Sequence, residues 1–206
     1  MQVELEQISK NFQNHAVIKG VDLSFPAGYR GVILGGNGSG KSTLLKIISG
    51  ALTPTTGKVH LLHNGSKIPE SLHYKHIAFC GPYSELIEDL TLSELLDFQA
   101  KFRTFIPGLG KREIIDLLNL QKFQNKPLKV FSSGMKQRVR LALALLADVP
   151  IVLLDEPTSN LDPEGKKWYR NLIEEYIQDR TLIVASNFLE EEYFFATEQI
   201  SLASFQ

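Results

Sequence analysis

A glycine-rich segment between a strand pattern and a helix pattern restricts the possible folds of this chain more than any other feature. Residues 35–42 read Gly-Gly-Asn-Gly-Ser-Gly-Lys-Ser, which is the spacing of a glycine, four residues and then Gly-Lys-Ser. An apolar strand at 31–34 precedes the segment, and helically spaced apolar residues follow it at 41–48. Glycines let successive backbone N–H groups surround an anion, and the helix dipole adds to the attraction. The segment therefore predicts a phosphate-binding loop, since a merely flexible turn does not require Lys and Ser at this offset.

The side chains of this loop have separate expected roles. Lys41 is expected to reach the β and γ phosphates and to act in catalysis, and the Ser42 hydroxyl is expected to bind Mg²⁺. The other candidates for contact with the nucleotide are Gly35, Gly36, Asn37, Gly38, Ser39, Gly40 and Thr43. These assignments indicate a nucleoside triphosphate bound together with Mg²⁺.

Two adjacent carboxylates end the apolar strand at 151–154. Because the strand is expected to be buried up to Leu154, Asp155 and Glu156 are expected to emerge at the carboxyl edge of a parallel sheet, beside the phosphate-binding loop. There Asp155 would hold Mg²⁺ through water, and Glu156 would orient and deprotonate the attacking water. A strand often simply ends in acids, and the nearby loop is what favours the catalytic interpretation.

A second anion-receptive helix start is predicted at 132–134. The segment 131–138 reads Phe-Ser-Ser-Gly-Met-Lys-Gln-Arg and places two hydroxyls and a glycine at the N-terminus of a helix. Taken alone, the segment is better explained by an ordinary serine N-cap, and only the other motifs favour the anion-binding interpretation.

Composition excludes several classes of protein. The chain has 206 residues, 22 basic and 23 acidic side chains and 43% hydrophobic residues, which is ordinary for one globular domain. A net charge of −1 argues against a dedicated nucleic-acid-binding protein. The single cysteine, Cys80, cannot form an intrachain disulfide, and we find neither a leader pattern nor an apolar stretch of about 18 residues. These features predict a cytoplasmic chain that does not cross a membrane alone.

Periodicity predicts an α/β core that is interrupted by a helical region. Strands are predicted at 3–5, 21–25, 31–34, 58–62, 77–80, 151–154, 181–185 and 200–202. Helices are predicted at 41–48, 91–103, 111–120, 132–147 and 162–176, with a capping box at Thr91 and an N-cap at Asp162. Gly50 is predicted to end the helix at 41–48, and the pair Asn64-Gly65 is predicted to form a turn.

The histidine pairs at 60/63 and 73/76 have a spacing that occurs in metal sites, but no further ligands support them.

The motifs together resemble those of the ATP-binding-cassette (ABC) ATPases. The resemblance is carried by the phosphate-binding loop, Ser-Ser-Gly-Met-Lys-Gln-Arg at 132–138, Leu-Leu-Asp-Glu-Pro at 153–157 and Ser-Asn-Leu-Asp at 159–162, and it covers essentially the whole chain. It implies an α/β P-loop NTPase fold with an N-terminal antiparallel β subdomain. It also implies a helical subdomain, at about 83–150, inserted in the parallel-sheet core of a single ABC ATPase domain, 1–206.

The resemblance also implies partners and further site residues. In that family two cassettes enclose two ATP molecules head to tail, and the signature helix of one subunit touches the γ-phosphate held by the other. Ser132, Ser133 and Gly134 match the signature positions, and Asp162 would lie at the subunit boundary and link the two sites. Phe12 would stack on adenine, although an aromatic residue near a strand end is often a core residue.

Two positions depart from the family pattern. Pro82 stands where the family has a glutamine that senses Mg²⁺ and the attacking water, and Tyr83, Ser84 or a water molecule would have to compensate. Asn187 stands where the family has a histidine; it can hydrogen-bond to the nucleotide but cannot carry a proton. Losing a transition-state contact commonly costs about 10²–10³ in rate. We therefore expect ATP and Mg²⁺ to bind and hydrolysis to be measurable but slow.

The resemblance favours the motor subunit of an ABC transporter. The subunit would lie on the inner face of the cell membrane through an integral membrane permease, and would pair with a second ABC ATPase subunit, identical or different. The chain length is similar to that of compact export-type ATPases. The alternatives are a nucleotide-gated clamp that hydrolyses little or no ATP, and a soluble ABC ATPase that acts on nucleic acid or ribosomes. The latter usually has a coiled-coil insertion or two cassettes, so no nucleic acid is expected here.

Overall fold

The computed structural model describes residues 1–13, 15–82 and 84–202. The β-strands in these residues are β1 (Gln2–Phe12), β2 (His15–Phe25), β3 (Arg30–Leu34), β4 (Thr56–His63), β5 (Ser66–Lys67), β6 (Ile77–Cys80), β7 (Ile151–Asp155), β8 (Thr181–Ser186) and β9 (Glu198–Ser201). The α-helices are α1 (Lys41–Ile48), α2 (Leu92–Ala100), α3 (Lys111–Leu118), α4 (Ser133–Leu145), α5 (Pro163–Tyr176) and α6 (Glu190–Tyr193). Short 3₁₀ helices lie at Glu70–Lys75, Gln121–Phe123 and Leu128–Val130.

The strands form one antiparallel sheet and one parallel sheet. The antiparallel sheet has the order β2-β1-β4-β5, and the parallel sheet has the order β6-β7-β8-β3-β9. The antiparallel strands come from the first third of the chain, and they include the tight turn at Asn64 and Gly65, both of which have positive φ. This arrangement confirms the predicted α/β class with an N-terminal antiparallel sheet.

Strand β1 is much longer than the three residues that alternation predicts. Leu5 and Ile8 are both buried, so the spacing of buried residues changes from two to three within the strand. The change coincides with Gln7, whose φ is 48°, and with a register shift against β2. An inserted residue of this kind exchanges the two faces of a strand, which is why a strict period of two ends at Leu5. The hairpin of β1 and β2 continues to Phe12, which pairs with His15.

Both faces of the parallel sheet are covered, which explains why its strands are apolar at almost every position. On one face Val152 and Leu154 of β7 join a core that includes α2, α3, α4 and α5. On the other face Leu153 joins a core that includes α1 and the inner side of the antiparallel sheet. The buried sheet fixes the ends of β3, β7 and β8, and the loops after these strands carry most of the candidate site residues.

The region between β6 and β7 contains α2, α3, α4 and two of the 3₁₀ helices, and none of its described residues belongs to a strand. Its predicted first residue, Tyr83, lies outside the described residues. The capping box at Thr91 is confirmed, because its hydroxyl and the Glu94 carboxylate cap each other's backbone N–H groups. The predicted helix ends are two or three residues too long. Residues such as Leu120 and Ala147 are buried beyond the helix ends, so the apolar pattern continues where the helix does not.

Several local signals are confirmed elsewhere in the fold. Gly50 follows the C-cap of α1 with a φ of 78°. Asp162 caps α5 by accepting a hydrogen bond from the N–H of Gly165 at 2.7 Å. The sequence does not predict the short helix α6. The last strand, β9, begins two residues before its predicted first residue. In the described part of the chain, no helix combines the length and hydropathy needed to span a lipid bilayer.

Candidate nucleotide-binding site

The phosphate-binding loop, Glu156 and Pro82 line one cleft with a volume of about 480 Å³. The loop contributes residues 37–43, and Val17 of β2 contributes an apolar wall. The sequence does not predict a place for Val17 in the site. Val17 packs closely against the loop, because its Cγ1 lies 3.1 Å from the position that a Cβ on Gly40 would occupy. The structure thus brings the loop and the second carboxylate of the 155–156 pair together.

The backbone of the loop requires glycine at several positions. Gly38 and Gly40 have φ values of 79° and 97°, which side chains of L-residues disfavour. A Cβ on Gly35 would lie 2.4 Å from Ser39 Oγ, so a side chain at this position would force Ser39 to move. The first intrahelical hydrogen bond of α1 is donated by Leu44 to Gly40 at 2.8 Å. The N–H groups of the first turn of α1 therefore have no intrahelical partner and are suited to bind an anion.

The Lys41 ammonium lies within the loop. Its Nζ donates hydrogen bonds to the carbonyl oxygens of Gly35 at 2.7 Å and Gly36 at 2.9 Å. Only 4% of the residue is exposed. A buried cation held by two weakly basic carbonyls is well placed to exchange them for phosphate oxygens, which make stronger charge-assisted hydrogen bonds.

Asp155 remains buried, contrary to the expectation that both acids emerge from the sheet. It is the last residue of β7 and is 1% exposed, because β7 pairs with β8 as far as Ala185. Neither of its carboxylate oxygens has a hydrogen-bond partner among the described residues. Burial raises the pKa of this carboxyl, and the Ser42 hydroxyl beside it opposes the rise. Unpartnered buried oxygens next to a hydroxyl are hard donors of the kind that Mg²⁺ prefers, so these residues fit the expected metal.

Glu156 is held in an uncommon backbone conformation at the wall of the cleft. Its φ is 47°, and its N–H donates to the carbonyl oxygen of Ala185 at 3.0 Å. Residues other than glycine seldom adopt positive φ, and such conformations concentrate at functional sites. The end of β8 thus fixes the backbone from which this carboxylate projects.

Of the two positions that depart from the family pattern, Pro82 lines the cleft and Asn187 contacts a residue that lines it. Asn187 donates from Nδ2 to Asn37 Oδ1 at 3.2 Å, so the segment after β8 contacts the phosphate-binding loop. Pro82 is part of the cleft wall. Ser84, one of the residues expected to compensate, accepts a hydrogen bond at its hydroxyl oxygen from the N–H of Gly81 at 3.0 Å. Tyr83 lies outside the described residues.

The described residues at the start of α4 do not line this cleft. Among the described residues that line the cleft, none comes from 132–134. Ser132 caps α4 by accepting the N–H of Met135 at 3.2 Å, so the ordinary N-cap role is present. Ser132 and Ser133 are exposed, and a Cβ on Gly134 would lie 3.0 Å from the carbonyl oxygen of Asn160. The start of α4 and the loop before α5 therefore form one continuous surface.

Asp162 and Phe12 lie outside the cleft lining. Asp162 Oδ1 lies 3.4 Å from Arg138 Nη2 in α4, in addition to capping α5. Phe12 lies at the tip of the β1–β2 hairpin, is 48% exposed, and has the ammonium of Lys10 5.1 Å from its ring centre. Phe12 is therefore not a core residue: its ring is partly exposed, and Lys10 lies over one of its faces.

Sequence reasoning missed Glu192, which is fully buried in α6 and joins two loops of the site. Its carboxylate accepts hydrogen bonds from the N–H and hydroxyl of Thr158, at 3.1 Å and 3.0 Å, and from the hydroxyl of Ser186 at 2.5 Å. Burial raises the pKa of Glu192, and these hydrogen bonds oppose the rise. Ser186 directly precedes Asn187, and Thr158 follows Glu156 by two residues. Glu192 therefore fixes the two loops relative to each other.

The histidine pairs have other partners. His60 lies 3.0 Å from the Glu6 carboxylate, and His73 Nε2 lies 3.1 Å from the carbonyl oxygen of Ile68. Within the described residues, no three side chains of His, Cys, Asp or Glu gather as ligands for a metal ion.

Comparisons with known proteins are consistent with this geometry. A family model described as ABC transporter matches residues 18–159. The uncharacterized ABC transporter ATP-binding protein YcbN of Bacillus subtilis is 31% identical over 92% of this chain and 62% of its own length. The lantibiotic transport ATP-binding protein SrtF of Streptococcus pyogenes is 30% identical over 92% of this chain and 81% of its own length. The dimeric ATP-binding cassette MJ0796, solved in a post-hydrolysis state with ADP and Pi, superposes with a TM-score of 0.81 at 27% identity, covering 97% of this chain and 93% of that one.

This chain belongs to the ABC transporter family of ATP-binding proteins, and its fold is that of an ABC ATPase cassette. It is shorter than the curated relatives it matches, since it spans less than two thirds of YcbN and 12% of two long human relatives.

Proposed function

We propose that this chain binds and hydrolyses ATP as a subunit of an ABC transporter on the cytoplasmic face of the membrane. A separate integral membrane permease would convert its motion into transport. One observation carries the proposal: the phosphate-binding loop, with Lys41 buried in it, shares a cleft with Glu156, and the unpartnered carboxylate of Asp155 lies beside Ser42 of that loop. Residues 1–206 would act as one ABC ATPase domain, with 83–150 as its helical subdomain.

Each of these residues has a specific role in the proposal. The N–H groups of residues 35–43 and the Lys41 ammonium bind the phosphate oxygens, and Asn37 and Asn187 add side-chain amides at the same end of the cleft. Ser42 and Asp155 would hold Mg²⁺, which when bound neutralises phosphate charge. Glu156 orients a water molecule and accepts its proton as this water attacks. Phe12 supplies an aromatic face for adenine.

The proposal includes a second cassette. The exposed hydroxyls of Ser132 and Ser133 lie at the N-terminus of α4 and are not among the described residues that line the chain's own cleft, so we assign them to a phosphate held by another subunit. Asp162 lies on the same surface, beside Arg138. The dimeric state of the similar cassette MJ0796 supports this arrangement. ATP would therefore close two subunits, identical or different, around two nucleotides.

The Ser132→Arg variant should lose this ATP-driven association. The added guanidinium occupies the position where the partner's phosphate would dock, and it removes the cap of α4, which is worth about 1 kcal/mol. In a Glu156→Gln background with ATP, size-exclusion chromatography with light scattering should show monomers instead of dimers. Ser71→Arg, which changes an exposed serine of the 3₁₀ helix at Glu70–Lys75, should dimerise normally. Retained dimerisation of the Ser132→Arg chain would exclude contact across the interface through Ser132.

The transporter assignment is tested by purification of the chain from its native membranes. An affinity-tagged chain expressed at its natural level should co-purify with an integral membrane protein after detergent extraction, in about equal amounts. Co-sedimentation with ribosomes or recovery with nucleic acid, without a membrane protein, would replace the transporter by a soluble ABC ATPase.

A nucleotide-gated clamp is the second candidate, and Pro82 and Asn187 are the observations that favour it. Pro82 lacks the amide with which the family's glutamine senses Mg²⁺ and water, and Asn187 cannot carry a proton as the family's histidine does. The two candidates differ in one measurement, since a transporter motor releases phosphate at steady state and a clamp binds ATP without doing so. We expect slow but measurable phosphate release.

A further inference from the structure

A chain of hydrogen bonds through α4 connects the two walls of the cleft. On one wall, the turn around Pro82 is closed by reciprocal contacts between Gly81 and Ser84, each of 3.0 Å. The carbonyl oxygen of Ser84 accepts a hydrogen bond from Arg140 Nε at 2.7 Å. Arg140 is a residue of α4, so the position of this turn depends on the position of that helix.

The same arginine reaches the other wall through one intermediate side chain. Arg140 Nη1 donates to Gln137 Oε1 at 3.2 Å, and Gln137 Nε2 donates to the carbonyl oxygen of Pro157 at 2.9 Å. Gln137 is only 2% exposed and its hydrogen bond to Pro157 is buried, so water does not compete for that contact. Pro157 directly follows Glu156. The carboxylate that would activate water is therefore tied to α4 as well.

We propose that Arg140 is a positioning residue for ATP hydrolysis, which ties the turn at Pro82 and the loop of Glu156 to α4. The inference rests on the proposed function. It assigns to Arg140 and Gln137 a connection that the side chain of Pro82 cannot make, because proline offers only a carbonyl oxygen. Since α4 begins at the exposed surface of Ser132 and Ser133, a shift of this helix on dimerisation would move both walls of the cleft together.

The chemistry of arginine suits this role. Its planar guanidinium presents several donors in a fixed fork, so it can hold a backbone carbonyl and a side-chain amide at the same time. A lysine at this position keeps the charge but lacks the fork geometry. The turn at Pro82 also lies against the metal-site carboxyl, because a Cβ on Gly81 would stand 3.3 Å from Asp155 Cβ. A loose turn would therefore disturb the geometry of the site but not the phosphate-binding loop.

The test compares Arg140→Met, Arg140→Lys and the unchanged chain in steady-state ATP hydrolysis. Arg140→Met should lower kcat about tenfold, since small misplacements of catalytic groups cost up to about 10²-fold. Its KM and its Kd for ATP should stay within about twofold, because the nucleotide-binding loop is untouched. Arg140→Lys should give an intermediate kcat, and it decides the question if Arg140→Met does not fold.

Arg103→Met is the matched control. Arg103 is also partly buried and donates to two backbone carbonyls, those of Ile77 at 2.8 Å and Tyr74 at 2.6 Å, neither of which belongs to a described residue that lines the cleft. Its loss should lower the unfolding temperature and leave kcat within about twofold. Equal kcat values for the unchanged chain and both Arg140 variants, or an equal loss in Arg103→Met, would overturn the positioning role alone. An unchanged chain that releases no phosphate would overturn both this role and the proposed hydrolysis.

Discussion

The Lys41→Ala variant should bind ATP about 100-fold more weakly than the unchanged chain, or not measurably. Lys41 supplies the one ammonium that hydrogen-bonds within the loop in the described structure, where it is 4% exposed. Hydrogen bonds to charged groups contribute about 1.5–3 kcal/mol each, and a 100-fold loss of affinity corresponds to about 2.7 kcal/mol. Titration calorimetry with Mg²⁺ and ATP measures the change directly.

The control for this variant is another lysine-to-alanine exchange. Lys111 forms an exposed ion pair with Asp97 at 2.8 Å, and such pairs contribute little to stability. Lys111→Ala should therefore bind ATP as the unchanged chain does. If Lys41→Ala retained full affinity while its melting curve was normal, the phosphates would not lie in the 35–42 loop.

The parts of the site that the sequence predicts are those that depend on a few consecutive residues. The loop 35–42 needs glycine where φ is positive, and the helix starts at Thr91 and Asp162 need side chains that accept backbone N–H groups. These requirements are local, so the residue types at consecutive positions are enough to predict them. Periodicity over consecutive residues likewise predicts the described strands and α-helices except β5 and α6.

Local sequence patterns do not predict the features of the site that depend on tertiary packing. Asp155 is buried because β7 pairs with β8 to its last residue, and a single strand pattern cannot show where pairing ends. Glu192 belongs to three consecutive glutamates at 190–192, and only the folded position of α6 decides which of them is buried. Gln137 belongs to the motif at 132–138, but the sequence does not predict its contact with Pro157, because these residues are 20 positions apart in the chain.

The same distinction applies to the surface that begins α4. By itself, serine at position 132 favours an N-cap over an anion site, and the structure shows the cap. The exposure of Ser132 and its separation from the cleft come from the packing of α4 against the loop that contains Asn160. An anion site at Ser132 remains a prediction that depends on the second subunit.

Glu156→Gln should separate nucleotide binding from hydrolysis. Glutamine has nearly the same shape as glutamate and can occupy the same backbone conformation, but it cannot accept a proton from water. General-base catalysis contributes about 10²–10⁴ in rate, so phosphate release should fall about 10²–10³-fold while the Kd for Mg²⁺ and ATP changes little. Because ATP would persist in the cleft, the variant should also accumulate as an ATP-bound dimer.

Glu174→Gln is the matched control. The Glu174 carboxylate lies on α5, 3.8 Å from Arg170 in an exposed ion pair. This variant should hydrolyse ATP at the same rate as the unchanged chain. The comparison of three rates is decisive. If the unchanged chain and Glu156→Gln release phosphate equally and measurably, Glu156 is not the base. If both rates are negligible and both chains bind ATP, the altered residues Pro82 and Asn187 have made the cassette a clamp. A large fall in Glu156→Gln alone means that this carboxylate still activates water, although neither of those two side chains can carry a proton.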